Sequence, residues 1–204
     1  VVLAGVIGLG GQSASGVVLP LVATQILWIN LITDSGPALA MGVDPSVEDV
    51  MGRRPRRPED HVVDAAMWGG VILIGAVMAA ATLGTLDIFL PGGLVDIAGV
   101  STDDLTRART AAFTTLVLAQ LFNTLNSRSE TVSAFSHLLV NRWLWGAIAL
   151  GVVLQIAVVE VPLLQAAFST SSLDPLHWGV TVVMASLVLW FDEVRKAVRR
   201  ARTR

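Results

Sequence analysis

The stretch "WINLITDSGPALAMG", Trp28 to Gly42, decides how the chain is read. Its flanks are as apolar as a membrane span, yet Asn30, Thr33 and Asp34 stand in its middle, followed at once by Gly36 and Pro37. A hydrocarbon core about 30 Å thick is crossed by about 20 mostly apolar helical residues, and the segment 18–41 has that length and character. Its midpoint falls near Asn30. A carboxylate at that depth costs roughly 2.5–3.5 kcal/mol on insertion scales, so it is expected to face a cavity, a partner or an ion path. The alternative for Asp34 is a protonated or hydrogen-bonded contact to a neighbouring helix.

In α-helical register, spacings of three and four residues put Asn30, Thr33 and Asp34 on one face. Proline has no N–H, so the Thr33 carbonyl four residues before Pro37 is expected to lose its helical partner and to be pushed aside by the ring, with Gly36 loosening the backbone. A bare carbonyl in hydrocarbon must be satisfied by something else. The expectation is therefore a broken helix. Its carbonyl, carboxylate and amide oxygens form a hard-oxygen set of the type that suits calcium, which takes roughly six to eight oxygens.

The whole chain supports a membrane setting. Of 204 residues 53% are hydrophobic and 15% charged, and the mean hydropathy is +0.68, outside the balance of a soluble globular domain. There is no cysteine, which excludes disulfide frameworks, thiolate catalysis and Cys-based metal sites. The expected fold is all-α, a polytopic transmembrane helical bundle. Its spans are a partial one at 1–9 and full ones at 18–41, 63–90, 106–125, 142–163 and 176–194, joined by polar or Gly- and Pro-rich connectors. The opening "VVLAGVIGLGG" has no basic n-region or cleavage site and reads as the end of a helix, so the chain is expected to be a piece of a longer polypeptide.

Basic residues set the orientation. Alternate connectors and the tail carry Arg53, Arg54, Arg56, Arg57, Arg128, Arg142, Arg195, Lys196, Arg199, Arg200, Arg202 and Arg204, while the opposite side carries Arg107 and Arg109. The positive-inside rule then puts the "RRPRR" loop and the C-terminus in the cytoplasm. Five tryptophans lie near span ends, where the interface favours them, and Trp28 is the deep exception. The basic residues have a sufficient membrane explanation, so no nucleic-acid partner is expected; the tail can also touch anionic headgroups.

A second polar cluster, Gln120 and Asn123, lies in "LVLAQLFNTLNS". Gln120 is deep enough to offer a carbonyl oxygen to the same site; an interhelical hydrogen bond explains it equally well, and explains Asn123 better. His61, His137 and His177 show no metal-ligand spacing and are expected to be solvated or interfacial. Ala76, Ala80 and Gly84 allow close helix packing.

These residues resemble a family. "ILWINLITDSGPALAMGVDP" is similar to the sixth transmembrane helix of type II P-type ATPases, above all the calcium pumps, and "DPSVEDVMGRRPRRPED" resembles the loop that follows. "AQLFNTLNSRSE" resembles the eighth helix and its exit, and "HWGVTVVMASLVLWFDEVRKAVRR" the tenth. The resemblance covers essentially the whole chain, in order, and is most specific from Asn30 to Pro37.

It implies the C-terminal transmembrane region of an ATP-driven cation pump, from the end of the fifth helix through the tenth. The implied metal ligands are Asn30, Thr33, Asp34 and Gln120, and the implied cargo is Ca2+, exported across the plasma membrane with protons returned. Gln120 stands where the reticulum calcium pump has Glu, which favours one calcium per cycle. The family's fifth-helix Asn and Glu, its phosphorylation motif "DKTGT", its "TGE" loop and its nucleotide-binding domain are not in this sequence. Mg-ATP would thus be used by the N-terminal remainder of the pump, the implied partner beside the lipid bilayer, and this chain has no catalytic or cofactor-binding residue of its own. Two other classes remain open from the residues: a secondary cation transporter or channel domain, and a noncatalytic membrane subunit.

Overall fold

The computed structural model describes residues 21–43, 65–90, 94, 104–127 and 141–202, with the backbone alone for Thr33, Asp34, Ala65, Ala66 and Arg202. The expected partial span 1–9, the "RRPRR" loop, His61 and His137 lie outside the described residues.

Every regular element among the described residues is helical, so the chain is the all-α bundle its apolar runs call for. Helix α1 (Ala23–Ile29) passes through a π turn (Asn30–Asp34) into α2 (Ser35–Gly42). Then come α3 (Ala65–Phe89), α4 (Leu105–Asn126), α5 (Arg142–Glu160), the short α6 (Pro162–Phe168) and α7 (Pro175–Arg202). Among the described residues three helical stretches are long and apolar enough to cross a membrane: Met67–Phe89, Arg142–Glu160 and Pro175–Ala201.

Helix α4 is not among those three, and its packing gives the reason. It sits at the centre, against α3 and α7 on one side and α5 and the π turn on the other. A helix walled by protein needs no lipid-facing apolar surface, so it can carry Thr110, Thr114, Thr115 and Thr124, all buried. Their hydroxyls are satisfied locally or across helices. Thr110 donates to the Thr106 carbonyl at 2.8 Å, Thr124 to the Gln120 carbonyl at 3.0 Å and Thr115 to the Thr85 hydroxyl of α3 at 3.1 Å.

Two cores result. One joins Leu86 and Phe89 of α3 to Ala108, Ala111 and Ala112 of α4, near the arginine-poor end. The other gathers Ile29, Ile74, Phe113, Val117, Leu121, Val158 and Val188 around α4. Of the small-residue stripe on α3, Gly84 faces Met184 of α7, whereas Ala76 and Ala80 are exposed.

Helix ends follow local chemistry. Asp104 caps α4 by accepting from the Thr106 N–H at 2.8 Å. Asn141 caps α5 by accepting from the Leu144 N–H at 3.0 Å, and its amide donates to the Ala40 carbonyl of α2 at 2.8 Å. Helix α5 stops at Glu160, short of the expected 163, because Pro162 disfavours helical geometry at Val161, which is extended (φ −87°, ψ 119°). Helix α7 runs on past the expected 194; its 28 residues span about 42 Å, more than a hydrocarbon core, so one end enters the interface.

His177, expected to be solvated or interfacial, is shielded from water at the start of α7. It is only 6% exposed, its ring centroid 4.8 Å from that of Phe89 and its Nδ1 3.4 Å from Asp174 Oδ2, because the first turn of α7 folds onto α3 instead of facing water.

Candidate functional site

The segment from Ala23 to Gly42 is not broken. The expected interruption at Pro37 takes the form of a π turn over Asn30–Asp34, after which α-helix resumes and Pro37 lies buried in its first turn. A π turn closes hydrogen bonds to the fifth residue rather than the fourth. Immediately before a proline, that wider turn moves the carbonyls out of the path of the ring and absorbs the missing N–H without unwinding the helix. At the junction the Asn30 N–H is shared between the Ile26 and Leu27 carbonyls. The α-helical spacing that would set Asn30, Thr33 and Asp34 on one face therefore gives way to π register at those same residues.

The π turn is seated by its neighbours. Ile29 is buried in the core around α4, and Pro37 and Ala40 are buried one and two turns on. Gly151 of α5 makes the seat possible: a Cβ there would lie 3.2 Å from Leu121 of α4 and 3.5 Å from Ile32 of the π turn. Three elements meet at that glycine. Gln120, adjacent to Leu121, is thus at the level of the π turn.

Asn30 is exposed, unlike Ile29 beside it, and Gln120 is half-buried. No hydrogen bond joins the two among the described residues. The side chains of Thr33 and Asp34 lie outside the described residues, and no cluster of three His, Cys, Asp or Glu occurs among those described. Asn123 is half-buried near the far end of α4. Glu160 is exposed and accepts from the Trp178 indole at 3.1 Å, as an interfacial residue would.

A polar relay behind the π turn escaped the sequence reading. The Trp28 indole Nε1 donates to Gln155 Oε1 at 3.2 Å, and Gln155 Nε2 donates to Thr114 Oγ1 at 3.1 Å. Gln155 and Thr114 are fully buried, so α1, α5 and α4 are tied at one depth two residues before Asn30. Trp28 also meets Phe168 of α6 edge-on, with centroids 4.8 Å apart. Gln25, one turn earlier, donates to the Phe168 carbonyl at 3.2 Å. The signal was present, since Gln155 is a lone polar residue in the apolar run "GVVLQIAVV", but sequence does not say which helix it faces.

Comparison with known proteins then decides the family. A model of the family described as "Cation transporting ATPase, C-terminus" matches residues 18–198, most of the chain. The chain belongs to the cation-transporting ATPase C-terminal family. Among relatives, it is 36% identical over 169 residues to a calcium-transporting ATPase of Bacillus subtilis, covering 83% of this chain and 18% of the relative. It is 35% identical over 178 residues to the mouse calcium-transporting ATPase type 2C member 2 (87% and 18%) and 32% identical over 184 residues to the human type 2C member 1 (90% and 19%). The chain thus spans about a fifth of the length of the curated relatives it matches. Family membership and the three membrane-crossing helices make this a multi-pass membrane protein. In this C-terminal ATPase domain the π turn, its glycine seat and the indole relay occupy the stretch whose sequence first raised the question of a site.

Proposed function

We propose that this chain forms part of the ion-translocation pathway of an ATP-driven calcium pump, in which Asn30, Thr33 and Asp34, with Gln120, supply oxygens to the transported Ca2+. The observation that carries the reading is the π turn over Asn30–Asp34, which ends three residues before Pro37 and meets α4 and α5 at Gly151. π turns inside helices concentrate at functional sites, because they displace backbone carbonyls that a regular helix would consume. The names of the relatives support calcium as the cargo.

Charge balance says what else the site needs. Asp34 is the one carboxylate among the four ligands, so a divalent cation requires at least one further acid. Exposure of Asn30 in a segment that crosses hydrocarbon argues that a further helix of the pump covers that side and brings the acid with it. The remainder of the pump would hold Mg-ATP and undergo phosphorylation. The C-terminus would lie in the cytoplasm, by the distribution of Arg and Lys, and the membrane would be the plasma membrane of an exporting pump.

Transport follows from differential affinity. Movement of the helices between two states would offer these oxygens to the cytoplasm with high affinity and to the far side with low affinity; a ligand is driven only by the difference between the two. After release, Asp34 would accept a proton, giving countertransport. Asp34→Asn in the full-length pump tests the reading: calcium-dependent phosphorylation from ATP should be abolished, and an unaltered calcium dependence would overturn the site.

A further inference from the structure

A cleft of about 390 Å³ opens between α3, α4 and α7, at the end of the bundle that carries the basic tail. One wall is apolar: Met67, Val71, Ile74 and Met78 on successive turns of α3. The eleven helical steps from Met67 to Met78 rise about 16 Å, and they lie within a stretch able to cross the membrane. The other wall is polar, with Asn126 from α4 and Asp192 and Arg195 from α7.

The charges of the polar wall do not cancel. Asp192, 2% exposed at its side chain, is held by two cations. Arg195 reaches its Oδ1 through Nε at 2.8 Å and Nη2 at 2.6 Å, and Lys196, fully buried, reaches its Oδ2 at 3.1 Å. Lys196 Nζ also donates to the Asn126 carbonyl at 2.9 Å. One carboxylate against two cations leaves a net positive charge.

That surplus is directed at the cleft. Arg195 Nη1 lies over Gly70, so close that a Cβ there would be 2.8 Å away, and Nη1 has no acceptor among the described residues. On the same wall the Asn126 amide donates to the Val188 carbonyl at 3.2 Å, which ties α4 to α7 beside the cleft.

We infer that this cleft binds one anionic glycerophospholipid from the leaflet on the side of the basic tail, the phosphodiester on Arg195 Nη1 and the proximal acyl chain along Met67 to Met78. The apolar wall is what selects a lipid over a soluble anion. Depth agrees: Trp68 and Trp190, 58% and 57% exposed, mark the interface beside Gly70 and Asp192. Basic pockets between membrane helices bind anionic headgroups in this manner.

The test is native mass spectrometry of the full-length protein in detergent, with phosphatidylglycerol and with phosphatidylcholine of the same acyl chains. The wild type should retain phosphatidylglycerol preferentially. Arg195→Gln should lower that retention about fivefold, the weight of one basic residue at a membrane surface, while Arg195→Lys keeps most of it. Val71→Trp, at an exposed position that leaves every charge in place, should lower it as well by filling the acyl wall. Equal retention of the two lipids by the wild type, unchanged phosphatidylglycerol retention in both Arg195→Gln and Val71→Trp, or displacement of the lipid by equimolar glycerol phosphate would each overturn the proposal.

Discussion

The indole Nε1 of Trp28 donates to Oε1 of Gln155 at 3.2 Å, a bond between two residues 127 positions apart that fixes the helix leading into the π turn. Because Gln155 passes the bond on to Thr114, the helix entering the π turn is tied to α4 and α5, the two helices that meet at Gly151 beside Ile32. The deep tryptophan that breaks the interfacial pattern is therefore an anchor.

Gln155→Leu preserves volume but strands the indole N–H and removes both links. Interhelical hydrogen bonds in membranes contribute about 0.6–1.7 kcal/mol each, so thermal stability in detergent should fall by about 1–2 kcal/mol. If the relay positions the π turn, the calcium concentration for half-maximal ATPase activity of the full-length pump should rise several-fold while the maximal rate holds. A stability loss with unchanged calcium dependence would make the relay merely structural.

Gly151 is where α5, α4 and the π turn converge. Gly151→Leu forces a side chain against Leu121 and Ile32, and overpacking of this kind costs about 1–3 kcal/mol. Gly151→Ala should be milder, since its Cβ meets the flexible end of Leu121 at 3.2 Å. Thermal denaturation of the pair in detergent checks the ranking.

Pro37→Ala separates stability from function. Alanine restores the N–H and removes the ring, up to about 3 kcal/mol in favour of a regular helix. The π turn should then relax toward α geometry, giving a protein at least as stable as the wild type with weaker calcium binding. Equal calcium affinity in the two proteins would show that the π turn does not shape the site.

Asn141→Ala removes at once the cap of α5 and its tie to the Ala40 carbonyl, which should cost about 1–2 kcal/mol. Hydrogen exchange at the Leu144 amide should accelerate, while that at amides in the middle of α4 should not.

The fold class was legible because runs of about 20 apolar residues have one solution in a bilayer. The interruption before Pro37 was legible too, but not its form. Proline chemistry demands that a carbonyl be accommodated, and whether by a break or by a π turn depends on Ile32, Leu121 and Gly151, which meet only in three dimensions. For the same reason Gln155 went unnoticed: it looks like any isolated amide until Trp28 and Thr114 close around it. For His177 the sequence leaves solvated and interfacial positions open, and only the fold shows that Phe89 rather than water meets its ring. Of the four candidate ligands, Asn30 and Gln120 lie at one level of the bundle, and Thr33 and Asp34 remain proposed from sequence.

Equilibrium calcium binding to the full-length pump, wild type against Asp34→Asn, tests the proposed site most directly, with phosphorylation by inorganic phosphate in the absence of calcium as the measure of intact folding. Loss of high-affinity calcium binding with that phosphorylation preserved is the expected result. Wild-type calcium affinity and stoichiometry in Asp34→Asn would contradict the site.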